Sequence, residues 1–312
     1  MALFNSIWDD LKYSLRTGSM ITKLMVVNFS VFVLVTLVHL IMGGFTWNQP
    51  DMQGAFDDVL HYVCIPGDLN RLVIQPWSLI THMFLHSALW HLVGNLISLN
   101  IFGNIVGDLI GDRRVLPIYL LGGLAGGVFY LISAQIGILD TSRFALGASG
   151  AVMALGGAAL LLAPDYRVGL LFLGTVKVKY IVLVLVLLDL TAIAGKYDSG
   201  GPIAHIAGFV LGCLFVYQLR DGKDWSEPVN KILKRIGAVF SGRPSIKSNS
   251  KKKKAGPMKV TFVGNKGNHA SDQASAQSFQ EKLDSILDKI KMSGYESLTQ
   301  EEKDFLYEAS QK

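Results

Sequence analysis

Apolar runs close to the length of a membrane span recur along the chain as far as Arg220, and they decide what it can fold into. There are six, at about Leu24 to Met42, Trp77 to Gly103, Val115 to Gly137, Ser149 to Leu162, Tyr180 to Ala194 and Ile203 to Leu219. Gly and Pro cluster between them, where helices stop. Half of the 312 residues are hydrophobic and the mean hydropathy is +0.38, more than the core of a soluble protein requires. The expected fold class is an all-α membrane protein with six transmembrane helices. The first run is longer than a signal-peptide core and lacks a small-residue cleavage site, so it reads as retained.

Basic residues at the ends of short loops mark the cytoplasmic side. Lys12, Arg16 and Lys23 precede the first run, Arg113 and Arg114 follow the second, Arg167, Lys177 and Lys179 follow the fourth, and Arg220 follows the sixth. Asp51, Asp57, Asp58 and Asp68 dominate the long loop on the other side. Both termini are therefore expected in the cytoplasm. The net charge of +5 comes largely from the tail, where Lys251 to Lys254 follow a Ser/Gly/Pro-rich stretch. With no aromatics interleaved, this reads as a solvated linker touching anionic lipid headgroups, and no nucleic-acid partner is expected. Cys64 falls in a loop and Cys213 within the sixth run, so no disulfide is expected.

The fourth run is too short to span. From Ser149 to Pro164 it rises about 22 Å, against roughly 30 Å of hydrocarbon. With Asp165, Tyr166 and Arg167 at the cytoplasmic surface, its other end stops inside the membrane, and the loop from Gly137 to Ala148 must dip in to meet it. Irregular backbone at that depth is tolerated only where protein buries it or water reaches it. The same ruler puts His205, counted back from Arg220, at about 22 Å, and Asn95 and His91, counted back from Asp108, at about 20 and 25 Å. Alone, Ser149 is a small packing or capping residue and His205 a satisfied bundle histidine. Four polar side chains at one depth change that reading, because ionisable groups in a membrane are costly and mark function. Gly208 and Gly212 share a helical stripe with His205, and Gly156 shares one with Ser149, which would let two helices approach closely.

A serine hydroxyl needs a base to take its proton, and His205 is suited to that near neutral pH. No acidic partner is expected at that level, so the predicted machinery is a Ser149–His205 dyad. Asn95, His91 and the backbone N–H of Ser149 at its helix N-terminus would stabilise the oxyanion.

These residues carry a resemblance. GASG at Gly147 to Gly150, HxxxN at His91 to Asn95 and AHxxGxxxG from Ala204 to Gly212, together with WSLITHMFLHS at Trp77 to Ser87, resemble the rhomboid family of intramembrane serine proteases over roughly Met20 to Arg220. The resemblance implies a six-helix rhomboid bundle with a short, half-buried fourth helix carrying the nucleophile, and an active site open to the outer side. It also implies a serine endopeptidase of a bacterial-type cell membrane that cleaves single-span or other membrane proteins in or near their transmembrane segments and needs no cofactor. Ser149 would be nucleophile, His205 base, and Asn95, His91 and the Ser149 amide the oxyanion site. Met153 stands where that family often has an aromatic on the catalytic histidine, and its adjacent Trp-Arg pair in the first outer loop is absent. The rival reading is a rhomboid-like scaffold that binds transmembrane clients without cutting them. A transporter would show an inverted repeat, and the six runs show none.

His82, His86 and His91 are spaced by four and five residues along one stretch, but no carboxylate or cysteine joins them, so no metal is expected. Asp189 lies only about 14 Å above Tyr180, below the level of the pair, and is expected to find a local partner. The domain reading is an interfacial amphipathic helix over 1–19 with a Leu3, Phe4, Ile7, Trp8, Leu11, Leu15 stripe, a membrane domain over 20–222, a basic, largely disordered linker over 223–275 and a helical segment over 276–312. In that last segment Phe279, Leu283, Ile286, Leu287 and Ile290 repeat at helical spacing, and a capping box at Thr299 to Glu302 starts a second helix with Phe305 and Leu306. The hairpin is too small for its own core, so it is expected to dock on a protein partner or a second copy.

Overall fold

The computed structural model describes residues 12–13, 15–44, 57–170, 174–195, 200–240, 285–286, 288–290 and 297–310. The N-terminal stripe as far as Leu11, Asp51, the lysine run at 251–254, and Phe279, Leu283 and Leu287 lie outside them. Two compact units divide the chain, 1–246 and 247–312.

In the first unit the long helices are α1 (Met20–Gly44), then, after two short helices α2 (Leu69–Ile74) and α3 (Ser78–Thr81), α4 (Leu89–Ile110) and α5 (Val115–Gln135). They are followed by α6 (Ser149–Leu162), α7 (Val178–Ala194), α8 (Gly200–Arg220) and α9 (Ser226–Phe240). Four stretches among the described residues are long and apolar enough to cross a membrane: Met20–Met42, Leu89–Ile110, Asp112–Gln135 and Gly200–Arg220. With α6 at 14 residues and α7 at 17, the unit is a helical, membrane-embedded bundle.

Helix α6 is the hub. Its residues from Gly150 to Ala159 are buried, and it packs on α8, α5 and α4, the pairing with α8 being the most extensive in the chain. Phe102, Ile118, Tyr119, Leu155 and Phe215 fill the centre. A buried polar chain runs through it: Asn28 Nδ2 donates to the Leu24 carbonyl at 2.8 Å and meets the Tyr119 hydroxyl at 3.2 Å, and that hydroxyl donates to the Met83 carbonyl at 2.8 Å. The N-terminus of α1 is capped from a distance by Asp112, whose carboxylate accepts from Met20 N–H at 2.8 Å, an anion where a helix presents unpaired donors.

In the packing of the helices, sequence and structure differ in three places. The second apolar run is not one helix: α3 passes into a 3-10 turn at His82–Phe84, the chain extends at Leu85 and Ala88, and only then does α4 begin. At the break the His82 carbonyl accepts from Leu85 N–H at 3.3 Å and also from Gly147 N–H at 2.9 Å, and so holds the loop that leads into α6. Residues 226–240, within the span expected to be linker, form α9. Gly156 faces α4 most closely. A Cβ there would lie 3.2 Å from Phe102 of α4, and the close approach to α8 is made by the neighbouring stripe of Gly150, Ala154 and Gly157.

Two small antiparallel ribbons complete the unit. In the first, Ile65–Pro66 (β1) pairs with Phe144–Ala145 (β2), tying the loop before α2 to the one before α6. The second, Arg167–Leu170 (β3) with Gly174–Lys177 (β4), follows α6. Beside it the hydrogen bonds from Lys179 and Lys177, at 2.8 and 2.9 Å, bring the Asp165 carboxyl down to about 2. Both cysteines are free, and burial pushes the Cys64 thiol up to about 12, which keeps it a thiol rather than a nucleophilic thiolate.

Asp224 ties α9 to the bundle. It accepts from the Ser226 N–H and hydroxyl at 2.9 and 2.6 Å and pairs with Arg114 at 2.8 Å. Burial opposes its charged form, but the hydrogen bonds from Ser226 and Arg114 outweigh burial and hold the carboxyl below its ordinary range. A carboxyl depressed in the folded state stabilises it above the unfolded pKa of about 3.9, and that contribution is lost as pH falls through the lower folded value. Asp224→Asn is expected to cost about 2 kcal/mol at neutral pH. Thermal unfolding in detergent should show the gap to wild type closing as pH drops through the carboxylate range.

In the second unit, Thr299 and Glu302 form the capping box at the start of α10 (Gln300–Ser310). Thr299 N–H donates to Glu302 Oε2 at 2.8 Å, and Glu302 N–H donates to Thr299 Oγ1 at 3.4 Å. Lys289, on the preceding helical segment, pairs with Glu302 at 2.9 Å, and Ile286 and Leu298 are buried.

Candidate active site

Ser149 opens α6, so its N–H is among the donors that no helical carbonyl can reach. What precedes it is set by Gly147, with φ +137, a conformation L side chains rarely adopt. A Cβ there would lie 3.0 Å from His91 Cε1 and 3.4 Å from Ser149 Oγ, so the missing side chain is what lets the histidine and the hydroxyl share this corner.

Opposite, α8 presents His205. Its Nε2 lies 2.6 Å from Ser149 Oγ. That distance depends on how closely the two backbones approach below it. A Cβ on Gly208 would run into the Gly150 carbonyl, and one on Gly212 into the Ala154 carbonyl. The other ring nitrogen, Nδ1, lies 2.8 Å from Asp189 Oδ1 of α7. The expectation that no acidic side chain reaches the pair, with Asp189 pairing locally below it, therefore does not hold. Counting rise from Tyr180 took α7 as parallel to the other helices and gave the carboxylate and the imidazole no reach of their own.

A cavity of about 350 Å³ opens over the pair, between α4, α6, α7 and α8. Asn95, His91, Met153 and Asp189 line it together with Ser149 and His205, and Leu185 and Leu188 of α7 form an apolar wall. Asn95 is 8% exposed and spends one amide N–H on the His91 carbonyl at 2.8 Å, leaving the other for a ligand. His91 has Nδ1 3.4 Å from the Ser87 hydroxyl, and its ring stands edge-on to His86 with centroids 5.2 Å apart. All four residues expected at one depth thus line one cavity. His82 does not join them: its ring Nδ1 meets the Ser78 carbonyl at 2.8 Å. Among the described residues no three His, Cys, Asp or Glu side chains gather as a metal site.

A hydroxyl, an imidazole and spare N–H donors facing a cavity inside an apolar bundle define a membrane-embedded helical protein with a serine–histidine site. The comparisons agree on its kinship. Residues 74–221 match the Rhomboid domain, and residues 274–312 match a family of unknown function (DUF6576). The chain is similar to RHOMBOID-like protein 12, mitochondrial, of Arabidopsis thaliana, with 31% identity over 47% of this chain and 47% of the relative. It is similar to Rhomboid-related protein 2 of Mus musculus at 30% over 53% of this chain and 58% of the relative. Presenilin-associated rhomboid-like protein, mitochondrial, of Homo sapiens is 24% identical over 68% of this chain and 50% of the relative. The chain spans about half the length of the curated relatives it matches. It is a rhomboid family protein.

Proposed function

We propose that this chain is an intramembrane serine endopeptidase that hydrolyses peptide bonds in or near the transmembrane segments of membrane proteins. The observation that carries the reading is the 2.6 Å approach of Ser149 Oγ to His205 Nε2 at the floor of a cavity that also holds Asn95 and His91. Ser149 Oγ attacks the scissile carbonyl as its proton passes to His205 Nε2. The carbonyl oxygen becomes an oxyanion, which accepts from the Ser149 N–H, the spare Asn95 amide N–H and the His91 ring. His205 then gives the proton to the leaving amine, and a water activated by the same imidazole releases the acyl enzyme. Apolar walls from α7 suit a transmembrane segment as substrate, and the distribution of basic residues supports cytoplasmic termini, six spans and a site opening outward in a cell membrane.

The test is cleavage of a single-span substrate co-expressed with wild type or Ser149→Ala, together with labelling by a fluorophosphonate probe. Product and labelling that both need Ser149 support the peptidase. Client binding with undiminished product from Ser149→Ala would leave the scaffold reading. Asn95→Ala is expected to lower kcat about a hundredfold with KM little changed, since the amide acts on charge that develops in the transition state.

A further inference from the structure

We propose that Asp189 is the positioning residue of the Ser149–His205 pair, an inference that rests on the peptidase reading and deepens it. An ionised carboxylate only accepts hydrogen bonds, so at 2.8 Å from Asp189 Oδ1 the His205 Nδ1 must carry its proton. A neutral imidazole has one N–H. With it on Nδ1, the lone pair is left on Nε2, which faces the Ser149 hydroxyl at 2.6 Å. The carboxylate thereby selects the tautomer that can act as base and fixes the plane of the ring.

The setting of Asp189 gives it little else to do. Of the residues of α7, only Val178, Val182 and Asp189 are buried, while Leu183, Leu187, Leu188 and Leu190 are about half exposed. Asp189 is the only acidic residue of this apolar helix, and it points inward, away from the wet ends where a carboxylate is stable. Besides the Ser149 hydroxyl on Nε2, the Asp189 carboxylate is the hydrogen-bond partner of the ring among the described residues, and Met153 lines the adjoining wall of the cavity. During attack the proton of Ser149 Oγ moves to Nε2 and the Nδ1 proton stays where it is. Asp189 remains a carboxylate beside the new imidazolium, and the pair carries no net charge in an apolar bundle. When Nε2 releases its proton to the leaving nitrogen, the original tautomer returns.

Two readouts on the full chain in detergent test this. In protein with 15N-labelled histidine, NMR reads the His205 tautomer independently of activity: Nδ1–H is expected in wild type and a mixed or Nε2–H tautomer in Asp189→Asn. In cleavage assays Asp189→Asn should lose about a hundredfold or more in kcat with KM near wild type, and Asp189→Glu should recover part of the loss. Asp189→Asn with unchanged kcat and tautomer overturns the proposal, and so does a loss that thermal unfolding accounts for and Asp189→Glu does not relieve. In either case a wild type that cuts and a Ser149→Ala that does not leave the peptidase reading standing. Undiminished product from Ser149→Ala would remove that reading, and this one with it.

Discussion

Ser149→Ala and His205→Ala are each expected to lower product from a single-span substrate by about 10⁴-fold or more, and the double variant should be no worse than either single one. In the proposed reaction the two side chains act in one event, the transfer of a proton across the 2.6 Å between Oγ and Nε2 as the new C–O bond forms. Removing either group removes the whole event, so the penalties do not add. What survives comes from donors that remain aimed at the oxyanion, the Ser149 N–H and Asn95. Ser149→Ala deletes a single oxygen at the mouth of α6, so unfolding temperature and expression should match wild type. The measurement is product formation from a single-span substrate at equal amounts of folded protein. Losses that multiply in the double variant would mean that the two residues work in separate steps, and the shared proton transfer would have to be given up.

How far the sequence foretold this site depends on which coordinate it had to supply. Distance along one helix is read well from sequence. The start of α6 at Ser149 follows from its glycine-rich entry and its end from Pro164, and the depth of Asn95 and His205 is a count of turns. Rotation about a helix is read less well. Ser149, Met153 and Gly156 share one stripe, and the sequence favours it for the close approach to α8, but the adjoining stripe of Gly150, Ala154 and Gly157 makes that contact because α4 places Phe102 against Gly156. Relations between helices are hardly legible. The Asp189–His205 contact depends on how α7 leans on α8, and no periodicity within either helix encodes that. The break between His82 and Ala88 is similar: the stretch has no proline, and the unwound turn is stabilised by the loop at Gly147, some sixty residues on, through the His82 carbonyl. Helix α9 was hidden by its charge, since Lys231, Lys234 and Arg235 make the stretch read as linker although Ile232, Ile236 and Val239 recur at helical spacing.

Gly208→Ala is the substitution with the largest expected effect outside the reacting groups. A single methyl there meets the Gly150 carbonyl, and the same is true of Gly212 against the Ala154 carbonyl and of Gly157 against the Phe209 carbonyl. In each case the obstacle is helical backbone, which cannot swing aside as a side chain would, so the helices themselves must part. Parting α6 from α8 forfeits packing along the most extensive pairing in the bundle and carries Ser149 away from His205. Because a misplacement of about 1 Å can cost about a hundredfold in rate, Gly208→Ala should retain at most about 1% of wild-type turnover and unfold at a lower temperature, and Gly208→Val should not accumulate in folded form. Gly201, on the same helix, has nothing within 4 Å of the position its Cβ would take, and Gly201→Ala should be tolerated. The contrast separates contact from helix propensity, since both changes put a better helix former into α8. A Gly208→Ala protein with wild-type unfolding temperature and turnover would show that the two helices have room to spare, and the short hydroxyl-to-imidazole distance would then need another cause.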